Sequence, residues 1–260
     1  MRQAEVSPAG IVRPRSALTP VEPIAAGRPS VALRVLSAGA AQGLVTALQE
    51  DFRAATGASV EGTFAAVGAL MEKLVAGERC DVVILTAAMI ADLEREARVL
   101  PRTCAPLGRV RTGIAVRAGD ALPQVSDRAQ LRDMLLAASG IYVPDTLRST
   151  AGIHFARVLT RLGIHDDVAQ RLRLYPNGAT AMRELASATG SGLIGCTQIT
   201  EIKYTPGVAL VGPLPAEFEL ATVYSVAVCA DARAPDLAMR FADQLSGAAS
   251  QVLRSTSGFE

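Results

Sequence analysis

Residues 33–52 read LRVLSAGAAQGLVTALQEDF and contain a strand, a loop and a helix in succession. The apolar run LRVLS predicts the strand, and Leu44, Leu48 and Phe52 recur every four residues as one face of the helix. Gly57 is the residue type that most often ends a helix in the left-handed conformation. Between strand and helix lies a loop of small residues, SAGA. This order of elements is typical of α/β domains.

The same alternation continues along the chain. VEGTF at 60–64 and DVVIL at 81–85 predict further strands, the second buried on both faces because its apolar run is continuous. Residues 88–100, AMIADLEREARVL, predict an amphipathic helix that stops at Pro101. The chain therefore begins, from residue 31, with one complete α/β unit.

A second α/β unit follows a long strand at residues 108–120. It comprises a helix from about Asp127, the strand IYV at 141–143, a helix that opens at Gly152, the strand RLRLY at 171–175, a helix over 178–188, the strand SGLIGC at 191–196 and a short helix near Ile199. Another long strand, ATVYSVAVCA at 221–230, precedes two C-terminal helices.

Composition limits the classes of function. The chain has 260 residues, 50% of them hydrophobic, and a formal net charge of +1. A net charge so close to zero gives no long-range positive electrostatic field that would attract nucleic acid, so no nucleic-acid partner is expected. No apolar run reaches the roughly 18 to 20 residues that cross a bilayer, so no membrane span is expected.

The four cysteines and two histidines are dispersed. No C-x-x-C motif and no ligand spacing for zinc occurs, so we expect neither a metal site nor a cofactor. Two alternatives stay open for the thiols: all are buried and inert, or Cys80 and Cys104 form a disulfide in an oxidising compartment.

Residues 1–30 carry five prolines and four arginines without periodicity. This composition predicts a disordered or loosely attached arm. Because charges or prolines interrupt every apolar run, these residues do not have the pattern of a secretory signal peptide.

Three stretches together resemble one known family. They are residues 33–87, residues 143–164 (VPDTLRSTAGIHFARVLTRLGI), and residues 221–259, which begin with the strand ATVYSVAVCA and end with the tail SGF. In order and spacing they are similar to the class II periplasmic solute-binding proteins, in the molybdate-binding-protein-like branch, which also includes aconitate isomerase. The resemblance extends from Val31 to Phe259.

The resemblance implies a two-lobed α/β fold of the periplasmic-binding-protein type II, with a central mixed sheet in each lobe and a two-strand hinge. Lobe one would be residues 31–110 plus 229–260, and lobe two residues 111–228 with the hinge strands at its borders. It also implies membrane subunits of an ABC transporter as partners and a periplasmic location. Since the first residues lack a signal peptide pattern, a cytoplasmic location is the alternative.

In such a fold, an anion lies at the carboxyl ends of strands against helix N-termini. Three small-residue loops occupy these places, although small residues also make tight turns without any ligand. The candidate ligand-binding residues of these loops are Ser37, Ala38, Gly39, Ala40, Val67, Gly68, Ser149, Thr150 and Ala151.

Side chains elsewhere extend the candidate site. Arg148 and Arg111 are candidates for clamping a carboxylate, against the alternative of a solvated surface charge. Thr197, Gln198 and Tyr224 are candidate hydrogen-bonding residues. Asn177 is a further candidate: at the helix start Asn177-Gly178 it could contribute a backbone N–H group or a helix cap, and we favour the cap.

One departure from the family bears on the ligand. Where molybdate binders of the family carry hydroxyl groups and a tyrosine, this chain has Ala40, Ala66 or Val67, and Gly195. These truncations disfavour molybdate and predict a larger organic anion, such as a carboxylate.

The sequence therefore predicts a solute-binding protein that captures a small organic (poly)carboxylate between two lobes. The alternative is an aconitate isomerase, in which a group removes and returns a proton beside a double bond. His154, Glu201 and Tyr224 are the candidates for that catalytic role, although a packed, structural role for His154 is the simpler interpretation.

Overall fold

The computed structural model describes residues 31–260, so the predicted N-terminal arm at residues 1–30 lies outside the described residues. Within them, nine strands and ten α-helices alternate. The strands are β1 (Ala32–Ala38), β2 (Ser59–Ala65), β3 (Val82–Thr86), β4 (Ala105–Arg117), β5 (Gly140–Pro144), β6 (Leu172–Tyr175), β7 (Leu193–Gln198), β8 (Val208–Pro213) and β9 (Ala221–Val228). The helices are α1 (Gln42–Thr56), α2 (Val67–Val75), α3 (Ala87–Arg95), α4 (Arg128–Ala137), α5 (Thr150–Leu162), α6 (His165–Val168), α7 (Gly178–Ser187), α8 (Ile199–Tyr204), α9 (Pro235–Ser246) and α10 (Gln251–Ser257).

The opening unit folds as its sequence predicts. Leu44, Leu48 and Phe52 are buried along one face of α1. Gly57 caps the helix with φ 74°, in the left-handed region where glycine carries no steric penalty. Phe52 also packs edge-to-face on the ring of Phe241, with 4.9 Å between ring centroids. This aromatic pair ties α1 to α9.

All strands belong to one connected sheet in the order β2-β1-β3-β9-β4-β7-β5-β6, with β8 paired to β4. We call β1, β2, β3, β9 and residues 105–111 of β4 the first half-sheet, and β5 to β8 with residues 112–117 of β4 the second half-sheet. A residue outside the strands is assigned to the half of the strand that precedes it in the chain. Each half is mixed: β1 to β3 are parallel and β9 runs against β3, while β5 to β7 are parallel and β4 runs against β7. The predicted α/β class with a mixed sheet in each half is thus confirmed.

β4 carries both halves. Its residues 105–111 pair with β9, and its residues 112–117 pair with β7 and β8. The chain returns just before β9, where the Thr112 amide donates to the Leu220 carbonyl at 3.1 Å. One large buried cluster includes Leu33, Ile84 and Phe241 of the first half, and another includes Phe155 and Phe218 of the second.

Two elements differ from the sequence prediction. The helix expected over 88–100 ends at Arg95, since Ala97 adopts φ 53° and Val99 forms an antiparallel bridge with Cys229. β8 was not predicted, and its half-buried residues show no clear alternation of buried and exposed positions.

None of the helices in residues 31–260 combines the length and apolar character needed to span a bilayer.

Candidate functional site

The small-residue loops lie where the two half-sheets meet. The first forms a 3-10 turn over Gly39–Ala41, and the second leads through Ala66 into α2; neither start has a side-chain cap. The Gly68 amide donates to the Arg148 carbonyl at 3.1 Å, so the second and third loops are joined by a backbone bond across the two halves. A Cβ on Gly68 would lie 3.0 Å from that carbonyl oxygen, and glycine permits this approach.

Behind these loops lies a buried polar group of side chains, which we call the junction cluster. Its members come from α5, β7, α8 and β9, and all but Thr150 are less than 5% exposed. They are Thr150, Thr197, Gln198, Glu201 and Tyr224. Four of them come from the second half-sheet and Tyr224 from the first, so the cluster spans the junction.

Glu201 is the only acid of the cluster and is 4% exposed. The Thr197 hydroxyl donates to its Oε2, and the backbone amides of Gly178, Ala179 and Gln198 lie near the carboxyl group. Burial raises the pKa of the Glu201 carboxyl above its ordinary value, while the Thr197 hydroxyl and these amides oppose the rise. Glu201 is therefore a candidate for proton transfer.

Tyr224 and Gln198 form the other side of the cluster. Gln198 donates from Nε2 to the Tyr224 hydroxyl at 3.1 Å, and Tyr224 also has a hydrogen bond to Thr150. Burial and the neighbouring Glu201 raise the pKa of the Tyr224 phenol, so it stays protonated. The Oε1 atom of Gln198 is buried without a hydrogen-bond partner, and it is therefore free to bind a ligand group.

Asn177 and Ser149 cap helices, and Ser37 forms a hydrogen bond within its own loop. Asn177 Oδ1 accepts from the Thr180 amide at 2.8 Å and caps α7, as favoured from the sequence. Ser149 caps α5 through a 3.5 Å contact with the Gly152 amide. In the first loop, Ser37 is fully buried and its hydroxyl donates to the Ala38 carbonyl at 3.0 Å.

The two candidate arginines lie away from the junction cluster. Arg148 is exposed at the rim, where its Nε contacts Glu72 Oε1 at 3.0 Å across the two halves. Arg111 pairs with Glu260 and Glu219 near the crossing of β4. Both guanidinium groups thus have acidic partners within the protein.

His154 also lies apart from the cluster. Its Nε2 is 2.7 Å from the Phe218 carbonyl oxygen, and the ring is half-buried. This contact is that of a structural histidine.

The sequence indicated the backbone N–H groups at Asn177-Gly178 as an alternative to the helix cap. It did not indicate Glu72, whose contact with Arg148 depends on packing alone. Among the described residues, no group of three or more His, Cys, Asp or Glu side chains could hold a metal ion.

Comparison with known proteins gives consistent results. Residues 33–260 match the family model described as bacterial extracellular solute-binding protein. A curated aconitate isomerase from Pseudomonas sp is 26% identical over 225 residues, which cover 83% of this chain and 82% of that protein.

Solved structures share the fold. The periplasmic molybdate-binding protein of Azotobacter vinelandii aligns with a TM-score of 0.72 at 18% identity, over 88% of this chain and 98% of that one. The sulfate-binding protein SubI from Mycobacterium tuberculosis aligns with a TM-score of 0.66 at 18% identity, over 88% and 86% of the two chains. The predicted similarity to the molybdate-binding branch is confirmed.

Proposed function

Because this chain belongs to the family of bacterial extracellular solute-binding proteins, we propose that it binds a small organic carboxylate at the junction of its two half-sheets. The family supports the general function, a solute-binding protein of the ABC transporter type. The choice of an organic carboxylate is the finer part of the proposal.

The observation that carries the proposal is the convergence of the loops that open α1, α2 and α5 beside the junction cluster. Two of the three starts have no side-chain cap, so their first-turn N–H groups can face an anion, apart from that of Gly68, which is bonded to the Arg148 carbonyl. Ala38, Ala40 and Val67 offer these loops no hydroxyl group, which suits a ligand with an apolar carbon frame better than a tetrahedral inorganic anion. The similarity to an aconitate isomerase, an enzyme named for a carboxylate, adds support.

A ligand screen tests this proposal. The full chain is heated with citrate, cis-aconitate, trans-aconitate, sulfate or molybdate, and each compound that raises the Tm is measured by calorimetry. We expect a carboxylate to raise the Tm in proportion to the logarithm of its concentration above Kd. Stabilisation by molybdate or sulfate alone would contradict the proposal.

A matched variant locates the ligand. Thr150→Val removes the hydroxyl beside Tyr224 while keeping a similar shape, and we expect it to weaken carboxylate binding. Thr160→Val, on the exposed face of the same helix, serves as the control and leaves binding unchanged.

Glu201 favours a second candidate function, the isomerisation of an unsaturated carboxylate such as aconitate. The carboxylate form of Glu201 would accept a proton from the carbon next to the double bond, the double bond would shift by one carbon, and the resulting carboxyl group, whose proton can exchange with solvent, would donate a proton to the far carbon. The Tyr224 hydroxyl lies beside Glu201 and would stabilise the negative charge that develops on the substrate. The His154 ring is hydrogen-bonded to the Phe218 carbonyl, which makes His154 the weakest of the three candidates for catalysis.

Proton NMR in D₂O separates the two functions. A carrier binds cis- or trans-aconitate without change, whereas an isomerase interconverts them and introduces deuterium. In the second case, Glu201→Gln should abolish conversion but retain binding, and His154→Gln should retain both. Conversion by Glu201→Gln at the wild-type rate would exclude Glu201 from catalysis.

We further propose that a carrier of this type works outside the cytoplasm and delivers its ligand to membrane subunits of an ABC transporter. Fractionation of cells that express the native gene, followed by detection of the protein, tests this location. Confinement to the cytoplasm would favour the enzyme.

A further inference from the structure

We propose that the carboxylate of Glu201 is a built-in anion, which occupies the N-terminus of α7 and excludes inorganic oxyanions from the junction. The inference rests on the proposed binding site and identifies a residue that determines its specificity.

The first observation is the set of donors around Glu201. The Thr197 hydroxyl donates to Glu201 Oε2, and the nearby backbone amides of Gly178, Ala179 and Gln198 lower the pKa of the carboxyl. Gly178 and Ala179 are the first two residues of α7. An ionised carboxylate is an acceptor only, so this surrounding matches its charged form. The α7 N-terminus, with its partial positive charge, already holds an anion.

The second observation is the pair of glycines on either side of the carboxylate. A Cβ on Gly178 would clash with Glu201 Oε2, and a Cβ on Gly39 would clash with Oε1. Gly39 belongs to the first half-sheet and Gly178 to the second. The side chain of Glu201 therefore fills the space between the two halves where glycine leaves room.

The third observation concerns charge. Within residues 31–260, no Lys, Arg or His appears among the groups that shift the pKa of Glu201. A sulfate or molybdate dianion beside this uncompensated carboxylate would meet strong repulsion in a buried site. An extended organic ligand can instead place its carboxylate at the loops and a neutral part against Glu201, near the unpaired Oε1 of Gln198.

Removing the carboxylate should open the α7 N-terminus to other anions. Glu201→Ala and wild type are compared at pH 8 by thermal shift and calorimetry with formate, sulfate and molybdate. We expect each anion to raise the Tm of Glu201→Ala by several degrees in a saturable manner and to leave that of wild type almost unchanged. Glu201→Ser is the second variant if the alanine variant does not fold.

Glu219→Ala is the control, because Glu219 pairs with Arg111 at the surface and its loss opens no buried site. Equal responses of Glu219→Ala and Glu201→Ala would reveal a general salt effect and overturn the proposal. So would a folded Glu201 variant that binds none of the anions. Failure of wild type to bind any organic carboxylate would instead refute the proposed function and leave this comparison intact.

An independent observation carries a second inference. The Sγ atoms of Cys80 and Cys229 lie 3.0 Å apart, although 149 positions separate them in sequence. The antiparallel pairing of β3 and β9 sets Val82 opposite Val228, and the Cys229 amide donates to the Asp81 carbonyl at 2.9 Å, so the backbone holds both residues side by side. Cys104, the partner considered from the sequence, makes no such contact with Cys80.

We infer that Cys80 and Cys229 form a disulfide when the protein meets a disulfide oxidant. The two thiols lose two protons and two electrons, and the oxidant's own disulfide is reduced to two thiols. A cavity of about 200 Å³, lined also by Glu78, Arg98 and Asp231, gives a small oxidant a path to the sulfurs. Both ends of the link lie in the first half-sheet, so the link should stabilise the fold without obstructing the junction.

Incubation of the full chain with oxidised glutathione, then thiol titration in denaturant and peptide mapping, tests the inference. We expect two of the four thiols to be lost, a mapped Cys80–Cys229 peptide and a higher Tm than that of the reduced protein. Cys104→Ala should behave identically, and Cys229→Ala should form no internal link. Four free thiols after oxidation, or a link to Cys104, would contradict it.

Discussion

At the scale of single residues, Gly178 has little freedom to change. A methyl group there would overlap both the Thr197 hydroxyl and the Glu201 carboxylate. We predict that Gly178→Ala lowers the free energy of unfolding by about 1 to 3 kcal/mol, the usual range for overpacking. Urea denaturation measures the loss.

Gly212→Ala is the matched control, because a Cβ at Gly212 meets no atom within 4 Å. A control variant as unstable as Gly178→Ala would mean that the loss arises from the glycine backbone and not from crowding at Glu201.

Ionisation of Glu201 should make stability depend on pH. Its pKa is raised in the folded protein, so the folded state holds the proton more tightly than the unfolded chain. The contribution of the neutral acid is complete at low pH, and stability falls as pH rises from about 4.5 through the raised pKa. Urea denaturation between about pH 5 and pH 8 should show this fall in wild type and its absence in Glu201→Gln. Parallel pH profiles of the two proteins would count against the raised pKa.

At the scale of elements, Arg148 and Glu72 connect the start of α5 to α2 at an exposed rim. If Arg148 leaves Glu72 to bind the ligand's carboxylate, Arg148→Ala should weaken binding by about tenfold or more, the value of a charged hydrogen bond. Glu72→Gln should keep or improve binding, since it frees the arginine. Calorimetry with the carboxylate identified in the screen measures the affinity of both variants. Unchanged affinity in Arg148→Ala would exclude Arg148 from the site.

Local patterns predicted most elements but little of the site's chemistry. The α1 face and the Gly57 cap follow from spacing and residue type, and the β1 to α1 unit is confirmed in full. β8 was missed because its half-buried residues alternate with no clear period. Which donors surround Glu201 depends on how α8 packs against α7, and no local pattern of the sequence encodes that contact.

At the scale of the whole molecule, β4 makes the two half-sheets one hydrogen-bonded structure. Residues 113–115 pair on both edges, with β7 and with β8, and in residues 105–111 Arg109 is aligned with Val223 of β9 on one side and hydrogen-bonded to the backbone of Glu260 on the other. We predict that both parts of β4 are similarly protected in hydrogen exchange followed by mass spectrometry. Much faster exchange at residues 112–117 would indicate that the second half opens separately.

The long-range order was predictable to the extent that the resemblance supplied it. Two long strands that bracket a second α/β unit indicated a chain that leaves one half and returns. The contact of Cys80 with Cys229 depends on the pairing of β3 with β9, and that of Gly68 with Arg148 depends on how the two halves meet; the sequence alone contains no measure of either distance.

The hydrogen bond between the Gly68 amide and the Arg148 carbonyl bears on how freely these two positions can diverge during evolution. Both atoms belong to the main chain, so any residue at position 148 can keep the contact, whatever its charge or size. Position 68 has no such freedom, because even an alanine Cβ would press against the carbonyl at 3.0 Å. Homologues that retain this hydrogen bond should therefore conserve glycine at position 68, whereas the bond itself sets no requirement on position 148, where only a ligand contact of the side chain would keep arginine.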